Sequence, residues 1–209
     1  LQSHGLLFRT FWDYCNFHYD DKEETAYVSF DITSGNPILI GINEKFWRSL
    51  NEDSQLFVIC HELLHIILNH GPRFIKHMGK HEKEINYSSD IVINHMLVKH
   101  FGFDRSKLDD FLKDKACWVD TVFPKQILPD DCNSEFYLDK LLKNPPPADQ
   151  SLGFDIHRLL NKDEMEELAK QIDNFIQENN LEKAFSELPQ SAREMLEKED
   201  GQICWIGNR

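Results

Sequence analysis

An α+β fold is what this 209-residue chain predicts: a small β-sheet packed on one buried helix, a second helix across it, and a helical C-terminal part. Three observations lead there. Two strand candidates, residues 26–32, which alternate apolar and polar in part, and 37–43, which are β-branched and apolar, flank Thr33-Ser34-Gly35-Asn36, whose turn chemistry makes them a hairpin. Two long apolar stretches follow, each with helix start and stop signals. Beyond Asn144-Pro145-Pro146-Pro147, the chain turns charged and amphipathic at helical period.

In chain order, the aromatic-rich stretch Leu6 to Phe17 suits a helix packed on something larger, ended by the acidic turn Asp20 to Glu24. After the hairpin, Asn51 is a good N-cap, with Glu52 and Asp53 in the first turn where the helix dipole favours anions. The helix it opens runs to about Asn69, is apolar almost all round and so should be buried, and stops at Gly71-Pro72. A basic, His-rich connector, Arg73 to Lys83, leads to a second apolar helix from about Glu84 to Lys99, halted near Gly102. Residues 103 to 133 read as irregular, Ser134 to Lys143 as a short helix, and 161–178 and 181–199 as amphipathic helices with solvated charged faces. The predicted organisation is thus residues 1–143, a Pro-rich linker at 144–152, and a helical region at 153–209.

The net charge of −13 works against duplex binding, which draws its affinity from cations set against phosphates, so a nucleic-acid partner is not expected. No apolar run approaches the roughly 20 residues needed to span a membrane, and Leu1 to Asp13 does not read as a signal peptide. Five cysteines (Cys15, Cys60, Cys117, Cys132 and Cys204) form no CxxC pair and no regular spacing, which points to reduced thiols and a cytoplasmic location.

The chemistry lies in His61-Glu62-Leu63-Leu64-His65, an HExxH pattern on the first buried helix. Residues four apart stand about 40° out of alignment and one turn apart, so both imidazoles can reach one metal ion. Neutral imidazoles suit Zn²⁺, which in catalytic sites takes three protein ligands and leaves a position for water. Glu62 can act as general base on that water and pass the proton to the leaving amine. Three ionisable residues on an apolar helix are costly to bury unless paired or metal-bound.

A third ligand is needed. His70 is nearest, but on a straight helix it would point about 140° away from His65 and needs a sharp chain turn to bind. Asp90, the only acid within Ile85 to Asn94 of the second helix, is the stronger choice, either as ligand or as a carboxylate orienting a ligating imidazole. Glu84 and His95 are fallbacks. Asn86 and Asn94 flank Asp90 by one turn and could hold a ligand or the backbone, and Tyr87 could donate to an oxyanion or merely pack. His77 and His81, four apart in the connector, are expected to be exposed.

These residues resemble a known family. The strand Pro37 to Asn43, Phe46-Trp47, the run from Phe57 to His70, Arg73, and the spaced Asn86, Asp90 and Asn94 look like the metallopeptidase domain that often precedes a von Willebrand factor A-like domain. Asn133 to Leu141 is similar to that family's next short helix. The resemblance covers roughly residues 25–142, and more faintly Leu188 to Trp205. It implies a zincin-like fold, His61, His65 and Asp90 as zinc ligands and Glu62 as catalytic residue; the expected partner is a protein or peptide substrate, whose identity the resemblance does not carry over. It also implies a possible ring-ATPase partner, although nothing after Trp205 remains to make the von Willebrand part. The expected function is zinc-dependent peptide hydrolysis. The alternatives are a catalytically inactive zincin-like interaction module, or a SprT-like DNA-associated protease suggested by a local likeness over His70 to Met78.

Overall fold

The protein was described from a computed structural model, which covers residues 5–30, 38–68, 70, 74, 80–145, 162–179, 181–186, 188 and 190–200. The expected turn at 33–36, the stop at Gly71-Pro72, Arg73, His77, most of the linker, Cys204 and Trp205 lie outside these residues.

The first helix, α1 (Gly5–Tyr14), buries Leu7, Phe8 and Phe11. Three strands follow, β1 (Cys15–Tyr19), β2 (Ala26–Phe30) and β3 (Ile38–Ile42), in the order β1-β3-β2. The expected hairpin is present: β2 runs antiparallel to β3, with Ala26 opposite Ile42 and Phe30 opposite Ile38. Strand β1 corrects the sequence reading, which kept residues 15–17 helical; it pairs parallel to β3 with Cys15 opposite Ile38. Only Cys15 on β1 is fully buried, so this strand carries little of the alternating apolar signal that would have revealed it. The central strand β3 holds the burial instead, with Ile38, Ile40 and Ile42 in the core.

Asn43 caps the short α2 (Glu44–Ser49) by accepting from Phe46 N at 2.9 Å, and its amide donates to Glu23 O at 2.8 Å. Asn51 caps α3 (Glu52–Ile67) as expected, its side-chain oxygen accepting from Ser54 N at 2.8 Å. The same side chain donates to Lys107 O at 3.1 Å, so the cap also ties α3 to a later segment. From His61 to Leu68 every residue is buried, on all faces of the helix. Helix α4 (Glu82–His100) begins two residues before the expected start and packs across α3, with Tyr87 through Asn94 buried. Gly102, at φ 80°, takes the left-handed conformation that lets the chain leave α4.

Residues 103–133 are less irregular than expected. A 3₁₀ turn at Arg105–Lys107 and two short helices, α5 (Asp110–Lys115) and α6 (Val119–Val122), form a strap over the ends of α3 and α4. Trp118 anchors it: the indole donates to Leu112 O at 2.9 Å, and the Arg105 guanidinium lies 4.4 Å over its ring while donating to Lys113 O. Helix α7 (Ser134–Lys143) packs along α4, fixed by Tyr137, whose hydroxyl donates to Pro129 O at 2.7 Å.

The C-terminal helices are α8 (Lys162–Glu178), α9 (Leu181–Ser186) and α10 (Gln190–Asp200). The single helix expected over 181–199 is broken in two, because Pro189 lacks an N–H and disfavours helical geometry at Leu188. Their apolar faces join the main core: Phe175 packs edge-on to Phe11 at 5.5 Å and stacks on Tyr14 at 3.8 Å, and α10 lies against α4. Among the described residues no helix is long and apolar enough to cross a membrane. Cys15, Cys60, Cys117 and Cys132 are free thiols. Cys60 packs in the core as expected, and burial pushes the Cys15 thiol up to about 12.

Two features of the scaffold are testable. His95 on α4 accepts from Val119 N at 3.2 Å, and burial, more than the opposing pull of Asp130, lowers its pKa from 6.5 to about 4. The native state therefore binds this proton less tightly than the unfolded chain. Its contribution is complete above pH 6.5 and is lost as pH falls toward 4. Urea unfolding should show the wild type losing about 2–3 kcal/mol relative to His95→Gln between pH 7 and 4.5. An equal pH slope in both proteins would contradict this. Asn51→Ala should cost about 1–2 kcal/mol of unfolding free energy at any pH, through loss of the cap.

Candidate metal centre

The middle turns of α3 and α4 face each other where both are sealed from water, and there the polar residues of these apolar helices meet. His61 and His65, one turn apart on α3, bring their Nε2 atoms to 3.0 Å from each other. Asp90, on α4, reaches into the same space: its Oδ1 is 3.3 Å from His65 Nε2 and 3.6 Å from His61 Nε2. His61 is 0% exposed, Asp90 1% and His65 5%. Glu62, next to the first imidazole, is also 0% exposed.

This donor set fits a divalent cation. Tetrahedral zinc with bonds of about 2.0–2.2 Å separates its ligand atoms by about 3.3–3.6 Å, and the three atoms here stand 3.0, 3.3 and 3.6 Å apart. Among the described residues, Asp90 Oδ1 is buried without a hydrogen bond, an arrangement that is costly for a carboxylate unless a cation or proton compensates it. These three are the group of potential ligands found among the described residues.

The remaining ring nitrogens face elsewhere. His61 Nδ1 lies 2.8 Å from Asn94 Oδ1, and the Asn94 amide donates to Cys117 O at 3.0 Å. His65 Nδ1 lies 3.0 Å from His70 Nδ1. Because α3 ends at Ile67 and the chain turns at Leu68, His70 arrives behind His65, on the side of its ring away from Asp90. His70 thus meets His65 from its far side, while Asp90 lies in the cluster. The arrangement matches a common one around metals, in which each imidazole's outer nitrogen is held by a further partner.

The two fallback ligands make their contacts elsewhere. Glu84 pairs loosely with His81 at 3.9 Å near the start of α4. His95 turns toward the strap. Tyr87 is buried with Lys83 5.4 Å over its ring. Of the two flanking asparagines, Asn94 is engaged with a cluster residue, while Asn86 is only partly buried. The contribution of the strap was missed by sequence reasoning. It enters through a main-chain carbonyl, which leaves no trace in residue identity, and Asn94, one turn after Asp90, was the sole hint.

Residues 21–116 match the family model described as "Putative metallopeptidase domain". No curated protein and no solved structure matches the chain. The match takes in β2, β3, α3 and α4, and with them His61, Glu62, His65 and Asp90. Over residues 21–116 the chain is therefore similar to the putative metallopeptidase domain.

Proposed function

We propose that the protein is a zinc-dependent metallopeptidase that cleaves peptide bonds in a protein or peptide substrate. His61, His65 and Asp90 are the metal ligands and Glu62 is the general base. The observation that supports this most directly is the meeting of two imidazoles and one carboxylate from different helices within a stretch of metallopeptidase type. Two nitrogens and one oxygen are a donor set that zinc accepts, leaving a fourth position for a non-protein ligand. Zinc in this place would supply Lewis acidity, acidifying a water and polarising the scissile carbonyl.

The chain's own part is to position and to move a proton. In this reading Glu62, which follows His61 directly, takes a proton from the attacking water and returns it to the leaving amine. Glu62 is itself fully buried. The same burial means that a substrate carbonyl reaches Glu62 only after the covering groups move aside. The free thiols and the lack of a membrane-crossing helix among the described residues support a cytoplasmic protein.

That closure also favours a second reading, an inactive interaction module whose metal is structural. The two are separated by coordination, since a structural site is closed by four protein ligands.

Glu62→Gln should retain zinc with unchanged affinity while hydrolysis of a denatured protein substrate falls by about 10²–10⁴-fold. Undiminished cleavage would remove Glu62 from the mechanism. Zinc at 100 times its Kd should raise the unfolding free energy by about 2.7 kcal/mol, and Asp90→Ala should largely abolish that increment in the same titration. A full increment in Asp90→Ala would exclude it as a ligand.

A further inference from the structure

We propose that Asn94 is a positioning residue that fixes His61 as its Nδ1–H tautomer, with the Asn94 amide itself oriented by the main-chain carbonyl of Cys117. The inference deepens the metal-centre reading and rests on it for its consequence, although the tautomer is a property of the metal-free protein.

The assignment follows from which atoms can donate. A carbonyl oxygen only accepts, so the Asn94 atom 3.0 Å from Cys117 O must be its NH₂ group. The other end of the amide, facing His61, is then the oxygen, which also only accepts. His61 Nδ1, 2.8 Å from it, must carry the proton. In a neutral ring this leaves a lone pair on Nε2, the atom directed at His65 and Asp90. Asn94 is fully buried, so water does not compete for the amide.

The Cys117 carbonyl is in turn flanked by hydrogen-bonded neighbours. Trp118 N donates to Thr121 Oγ1 at 2.8 Å, and the Thr121 hydroxyl donates to Ala116 O at 2.7 Å, bracketing the peptide on both sides. Ala116, Cys117 and Trp118 are all at most 1% exposed. The strap thereby reads out, through one carbonyl and one amide, onto the protonation pattern of an imidazole on α3. Of these residues asparagine alone makes both contacts: aspartate keeps the acceptor for His61 and loses the donor to Cys117, and leucine offers neither hydrogen bond.

The test uses zinc-free, ¹⁵N-histidine-labelled protein, with two-bond ¹H–¹⁵N correlations reporting each ring's tautomer and His61→Gln assigning the His61 signals. Wild type should show His61 as Nδ1–H. Asn94→Leu should lose that preference and bind zinc about 10–100-fold more weakly in competition with a chelator. Asn94→Asp, which still offers an acceptor to His61, should keep the Nδ1–H form and recover most of the affinity; this variant carries the test alone should Asn94→Leu not fold. His61 as Nε2–H in wild type or in Asn94→Asp, or zinc affinity in Asn94→Leu within about twofold of wild type, would overturn the proposal. A tautomer change in Asn94→Leu together with no zinc binding by wild type would support the positioning role and count against the metal reading.

Discussion

Carboxylates are among the most expensive groups to remove from water, and this fold removes two of them, Glu62 and Asp90, at the centre of its helical core. Most of what surrounds them can be understood as an answer to that cost. Imidazoles are placed within 3.3 and 3.6 Å of the Asp90 oxygen, and each imidazole has its far nitrogen engaged by a partner. Every contact in the series depends on α3 and α4 keeping their register. That register is set by apolar packing around His61 to Leu68 and Tyr87 to Asn94, in an interior whose close packing resists sliding.

Holding the register falls to the less regular parts of the chain. Asn51 fastens the start of α3 to Lys107 O, Trp118 and Arg105 pin the strap, and Asn94 joins the strap to His61. Helix α7 lies along α4 from the other side, with Leu138 against Ile85 and Phe74. Phe74 is 6.3 Å, ring to ring, from His70, so even this small apolar cluster abuts the imidazole that backs His65. The polar centre thus has apolar walls and a few directional hydrogen bonds at its corners.

How much of this could be read from the residues alone depended on how local the cause was. The Asn51 cap, the hairpin of β2 and β3 and the HExxH helix were legible because their signals lie within a few residues of one another. Asp90 was legible because an acid inside an apolar helix demands a reason. Strand β1 was hidden, since its pairing with β3 joins Cys15 to Ile38 and its own residues are mostly exposed. The place of His70 was also hidden. The sequence offered an angle on an ideal helix, while the real chain leaves the helix at Leu68 and brings the ring in from behind. The strap was illegible for a different reason: its effect on the centre passes through a peptide carbonyl that every amino acid shares.

The packing of Tyr14 and Phe11 against Phe175 has a bearing on how the molecule is made. Contacts between residues so far apart in the chain close a large loop and form late. During synthesis α1 is made before α8, so Phe11 and Tyr14 lack the Phe175 ring that covers them in the finished fold until α8 has left the ribosome.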